Sequence, residues 1–451
     1  MPQRSSGLRT FNRIGCVALI ALVLALPVIG YFQAVREAEA DLAALKKRLR
    51  AEGILVPVEQ LIPKVPKGEQ NAADLYRQAF AALSITSQES DTLYHLPQSS
   101  RERQRLLLEV VARNQPSYDL VDRASHVTYC AFPRNWADPY SVVTSPSGYI
   151  HMVIALCYRI EALDALGRPE AALDAAGVGF AAIEHLRGEP TVAAQLLAYI
   201  EQSRLIEALN GILSHGSPSP AACRRLFGQL ASVDQLAPLA RAIQGEMVVF
   251  DMAYYAQIAR GGCSPGQGTS ASDALVMSTY GTVGRFLLHR DQMTRLREMT
   301  EVYEAARLPW PAAQQHIEAA EQTPYSVPAY ESVITRNKRR AGQGQYLYAN
   351  MILARDERGA RIALAQIALA AKAFQHSHRR YPESLAELEA DNWKVPDDPF
   401  TGKSLPYRRE GQGFVVWSLG PNMVDDNAVK YDSKTISSAD GPYDIVLRVK
   451  R

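Results

Sequence analysis

Closely spaced cysteines are missing from this sequence: Cys16, Cys130, Cys157, Cys223 and Cys263 are the only five in 451 residues, and no two form a CxxC pair. That excludes a zinc ribbon, a thioredoxin-like motif and a disulfide-dense scaffold. Cys130, Cys157, Cys223 and Cys263 could pair outside the cytoplasm in a connectivity that spacing leaves open; buried free thiols are the simpler expectation. No HExxH, Walker A or GxGxxG motif occurs, which removes the commonest zinc-protease, P-loop and dinucleotide-binding signatures, and nothing points to a small-molecule substrate. Charge of one sign is also lacking. Lys and Arg total 49 against 47 for Asp and Glu, a net of +2, which argues against a nucleic-acid partner. Apolar residues are plentiful, at 47% with 21% charged, so packed cores are expected, in about three units at roughly 150 residues each.

Residues 14–32 (IGCVALIALVLALPVIGYF) carry no charge. As a helix they would reach roughly 28 Å, close to the thickness of the hydrocarbon core. Arg4, Arg9 and Arg13 precede them without an acid, as a cytoplasmic tail would. The expectation is an uncleaved, single-pass signal anchor in the inner (cytoplasmic) membrane, with residues 1–13 in the cytoplasm and the bulk outside. The competing cleaved signal peptide has only Ala38-Glu39-Ala40 as a cleavage site, several residues beyond an apolar run longer than usual. The small basic excess belongs to the tail; the remainder is close to neutral.

Residues 33–70 read as a helical stalk, ended by Gly53 and the prolines at 57, 63 and 66. Residues 71–330 read as a helical domain. Apolar spacing of three and four marks Ala72–Leu83 and Arg101–Arg113, and Cys130–Pro139 is a two-proline loop whose Phe132 and Trp136 would pack on the helices. Tyr149–Leu166 is apolar on several faces and should be a buried helix, with further helices to about Leu186, over Thr191–Leu213, from Ser219-Pro220, and over Val233–Ile258. Short turns between long helices imply a bundle or solenoid-like ectodomain. Residues 162–173 (ALDALGRPEAAL) resemble the inter-helix turn of a tetratricopeptide repeat, although no 34-residue period follows. Residues 259–272 are Gly/Ser-rich and should be an exposed loop, and Arg336, Lys338, Arg339 and Arg340 form a solvated basic run.

Residues 331–380 read as a long helix leading into the tail, most apolar over Ile362–Phe374. Residues 381–451 form a β-rich module, with strands expected at Leu405–Arg408, Phe414–Ser418 and Tyr443–Val449. The fold class is therefore mainly α, with a small C-terminal α+β module.

The order Tyr381-Pro382, Asp398-Pro399, Tyr407, Ser418-Leu419-Gly420 and then Asp425-Asp426 resembles the globular end of the major pseudopilin of type II secretion systems. The likeness covers roughly the last 85 residues. It implies Ca²⁺ held by the acidic loop, with Asp425 and Asp426 as the ligands carried over. Asn422 stands where an acid is expected, and Asn427-Ala428 where the family has a glycine pair. Prepilin processing is not implied, because Gly15 is followed by Cys16 to Ile20 with no glutamate. The whole layout also resembles membrane-anchored bacterial proteins with helical ectodomains.

Two enzymatic alternatives rest on residues alone. Gly262-Cys263-Ser264-Pro265-Gly266 matches G-x-S-x-G but lacks the strand-turn-helix setting. Glu246 and Asp251 interrupt an apolar helix where carboxylates could serve acid/base work, although structural pairing is commoner. His376 and His378, two apart on a helix, face different ways. The expectation is a non-enzymatic, membrane-anchored scaffold or interaction protein with protein partners, linked to secretion or envelope assembly; the alternative is an envelope hydrolase using Ser264 or Glu246/Asp251.

Overall fold

One unbroken helix, α1 (Ser6–Ala51), carries the chain from its N-terminal region through the stalk in the computed structural model of the protein. The structure describes residues 6–136, 148–249, 255, 284–322, 345–429 and 444–449; the side chains of 6–23, 320–322 and 345–349 are outside this set. Leu24, Leu26, Val28, Ile29 and Phe32 stand more than half exposed, whereas Ala38, Leu42, Leu45 and Leu49, spaced four, three and four apart, are buried. Gly53 (φ +70°) ends α1: the Ile54 N–H reaches the Leu49 carbonyl and the Gly53 N–H the Arg50 carbonyl, a Schellman stop. Among the described residues no helix is long and apolar enough to cross a membrane. The side chains of residues 14–23, half of the expected anchor, lie outside them.

Two compact units result, one of residues 1–56, 250–300 and 324–343, the other of 57–249, 301–323 and 344–451. In the second unit, a short α2 (Val58–Leu61) precedes α3 (Ala72–Ala82), where the Asn71 side chain accepts the Ala73 N–H as N-cap. α4 (Ser87–His95) starts at a capping box of Thr86 and Glu89. α5 (Arg101–Arg113) and α6 (Gln115–Ser125) follow. The 130–136 segment packs as a loop: Glu189 accepts from the Phe132 N–H and from Arg134 Nε (2.7 Å), and Phe132 meets the Tyr149 ring edge-on.

α7 (Gly148–Ala165) and α8 (Pro169–Arg187) are joined by Gly167 at φ +69°, whose N–H bonds to the Asp164 carbonyl while the Arg168 N–H bonds to that of Leu163. α9 (Val192–His215) and α10 (Pro220–Ala231) are capped by the side chains of Thr191 and Ser219. α11 (Ala237–Val249) begins four residues later than the apolar pattern suggests, because the Asp234 side chain accepts the N–H groups of Leu236 and Ala237 and holds the preceding turn open. Of the rest of that expected helix only Tyr255 is described.

α12 (Arg285–Ala306), whose residues 285–300 belong to the first unit, and α13 (Ala312–Gln322) come next in the chain, followed by α14 (Gln345–His378), one helix with no break at Arg361. α14 is the spine of the second unit. It packs against α9 and α10 on its helical side and against the sheet, and Ile362 to Ala371 are all buried. Charged residues are buried along it: Arg355 bonds to the carbonyls of Ala306 and Leu308 and to Asp356, and Arg358 to Gln202, Gln235 and Glu184. After α15 (Leu385–Ala390) come β1 (Tyr407–Glu410), β2 (Gly413–Ser418) and β3 (Ile445–Val449), an antiparallel sheet in the order β1-β2-β3. β1 starts two residues later than expected because Pro406 brings no N–H; its carbonyl accepts from Trp417 instead.

Candidate functional site: the acidic loop of the C-terminal module

Asp398 ties together the motifs that sequence order placed twenty residues apart. Fully buried, it accepts from Ser418 Oγ (2.7 Å) and the Phe400 N–H (3.0 Å) with one oxygen, and from the Leu419 N–H (3.0 Å) with the other. The Asp-Pro turn thereby fixes the end of β2, and Gly420, at φ +66°, throws the chain into the acidic loop. Tyr381 lies edge-on to Phe414, and Tyr407 donates to the Pro382 carbonyl at 2.8 Å.

The loop is held in the left-handed region at Met423, Asn427 and Ala428 (φ 55°, 59° and 61°). Asn427-Ala428 therefore keeps a conformation that glycines would adopt without strain; for a residue with a Cβ it costs about 1–2 kcal/mol. Asp425 Oδ1 accepts from Trp417 Nε1 (3.0 Å) and the Asn427 N–H (2.9 Å). Asn422 uses both ends of its amide, accepting the Val424 N–H and approaching Asp426 Oδ2 at 3.5 Å.

Asp444, just ahead of β3, joins this loop, and the sequence reading missed it. Its Oδ2 accepts the Ala428 N–H at 2.8 Å, while Oδ1 is buried with no hydrogen-bond partner among the described residues. Burial pushes its pKa up to about 6, against the backbone N–H groups of Ala428 and Asp426 and with the smaller help of the Asp426 and Asp425 carboxylates. The one sequence signal was an acid at the start of the last strand, eighteen positions from Asp426. Oxygen donors of this kind suit Ca²⁺. As arranged, no three His, Cys, Asp or Glu side chains among the described residues form a group that could hold a metal ion.

The other candidates do not gather into a site. Ser264, Asp251, Cys263 and the basic run at 336–340 lie outside the described residues. Glu246 is half-buried and accepts the Val192 N–H at 3.3 Å, at the start of α9. Cys130, Cys157 and Cys223 are free thiols, each pushed up to about 12 by burial and so not activated as nucleophiles. His376 and His378 are exposed, the latter stacked on Phe374.

No known family model matches this chain, and neither a curated protein nor a solved structure matches it.

Proposed function

We propose that the chain is a membrane-anchored, extracytoplasmic interaction protein, its N-terminus in the cytoplasm and its helical ectodomain and tail module presented to partners in secretion or envelope assembly. The observation that carries this is the division of α1, with large apolar side chains exposed from Leu24 to Phe32 and a buried apolar stripe from Ala38 to Leu49. Exposed Leu, Val, Ile and Phe on consecutive turns fit a helix whose surroundings are themselves apolar. The full chain, expressed in a bacterial host, is expected in the membrane pellet after carbonate washing, and a variant lacking residues 1–32 in the supernatant. Recovery of the full chain in the supernatant overturns the anchor. Pull-down from solubilised membranes is expected to recover envelope or secretion components; their absence overturns the scaffold role.

The tail module is proposed to take Ca²⁺ at the acidic loop, as in the pseudopilins it resembles. The buried Oδ1 of Asp444, which has no hydrogen-bond partner among the described residues and lies beside the carboxylates of Asp425 and Asp426, supports this, because a cation would offset the cost of gathering negative charge at a buried position. Bound there, the cation would neutralise these carboxylates and pin the loop to β3. The expected result is a melting temperature that rises with Ca²⁺, falls back with chelator and loses its response in Asp425→Ala. No response in the intact chain removes the site.

A further inference from the structure

A groove of about 960 Å³ opens on the second unit between α4 and α9, with α7 as its floor. Its apolar lining is half-buried: Leu83, Ile85, Leu96, Ile154 and Tyr158 line it, Ile85 and Tyr158 resting on the core formed by Leu93, Leu107, Val110 and Ala162, with Tyr94 standing 82% exposed at the rim. The charges around it are not balanced. Arg103 is consumed by a two-pronged pair with Glu161 and also donates to the Leu93 carbonyl. Arg204 faces the buried Glu201 at 3.4 Å. With both cations engaged, Asp91, Asp164 and Glu207 remain, and no Lys or Arg is within ion-pair distance of them among the described residues. Asp91 has His95 at 3.6 Å, and the Asp164 carboxyl is held above its ordinary range by burial, against the opposing pull of the His215 and Lys372 charges. Asp91 stands on one wall, Glu207 on the other and Asp164 on the floor.

We propose that this groove receives a cationic amphipathic segment of a partner protein, its apolar side chains on Ile85, Tyr94 and Tyr158 and its Lys or Arg side chains on Asp91, Asp164 and Glu207. Charge complementarity selects this occupant. An acidic or neutral helix would leave Asp91, Asp164 and Glu207 facing it with no Lys or Arg at ion-pair distance among the described residues, whereas a basic one meets each with an opposite charge and covers the apolar floor as a helix-in-groove complex does. The exposed Tyr94 ring at the rim favours the same partner, since an aromatic face attracts a cation. The inference rests on reading the chain as an interaction protein, but not on its membrane anchor or on Ca²⁺.

The test uses the full chain purified in a mild non-ionic detergent, which keeps it in solution whether or not it has a membrane anchor. The probe is a fluorescein-labelled synthetic helix with Leu on one face and Lys at i, i+4 positions flanking it. Anisotropy is expected to rise to saturation, while the same peptide with Glu for Lys stays unbound. The double variant Asp91→Lys/Glu207→Lys, both at exposed helical positions, is expected to bind at least tenfold more weakly with an unchanged melting temperature. Asp119→Lys, an equal kind of charge change at an exposed site on α6, is expected to bind normally. Overturning results are no saturable binding, equal binding of the Glu peptide, an unaffected double variant, or an Asp119→Lys loss as large as the double variant's. Each of these leaves the membrane pellet and pull-down outcomes untouched, so the failure of the groove and that of the scaffold reading are separable.

Discussion

Asp398 and Asp444 are both fully buried carboxyls, yet they behave oppositely. Asp398 is surrounded by donors: one hydroxyl and two backbone N–H groups satisfy it. Asp398→Ala leaves those donors without an acceptor, and a loss of about 3–5 kcal/mol is expected in urea unfolding, with early proteolysis of the module. Asp444 has one oxygen served and one not. An acid whose folded pKa is about 6, against roughly 3.9 unfolded, binds protons more tightly when folded, so its stabilising contribution is complete below about pH 4 and lost as pH rises through 6. Glu201, buried beside Arg204 and also pushed up to about 6 by burial, acts in the same direction. Melting temperature is therefore expected to decline between pH 4 and 6, and Asp444→Asn to flatten that decline. An unchanged pH profile in the variant would assign the loss to other groups. Asp425 and Asp426 were legible in the sequence because they are adjacent and follow a motif. Asp444 was not, since only strand pairing brings position 444 beside 428.

Helix boundaries were the most legible level, because caps are local. Asn71, Thr191 and Ser219 each accept a backbone N–H from two or three residues ahead, and Pro169 and Pro220 sit at first turns. Where a boundary was misjudged, a side chain had intervened: Asp234 delays α11 by holding the N–H groups of Leu236 and Ala237. α4 carried its own signal in Thr86-x-x-Glu89, which apolar spacing alone does not reveal. How close the helices come is another matter. At Gly245 on α11 a methyl group would lie 1.8 Å from the Pro190 carbonyl oxygen, so the start of α9 and the middle of α11 meet backbone to backbone. Gly245→Ala is expected to destabilise by about 1–3 kcal/mol through forced separation, despite alanine's better helix propensity, as a lowered melting temperature would report.

At the scale of the whole molecule, α14 decides the architecture. Its apolar run is buried on all sides, between α9 and α10 and against β2 and β3, so the helical domain and the tail share one compact unit. A fragment of residues 379–451 is therefore expected to show a disordered circular dichroism spectrum, because Phe414, Val416 and Leu447 lose the helix they pack under; a folded fragment would show that the sheet sustains itself. The sequence by itself determined what depends on near neighbours in the chain: a mainly helical protein, its caps and turns, a hairpin about Gly411-Gln412, a charge excess confined to the first thirteen residues, and an apolar segment followed by a charged, helix-forming one. Tertiary structure alone decided which distant groups meet. It set Asp398 on Ser418, brought Asp444 to the acidic loop, buried Arg355 and Arg358 along α14, and left Asp91, Asp164 and Glu207 around one groove. Local propensities act over a few residues, whereas the cost of burying a charge is set by whatever the fold places beside it.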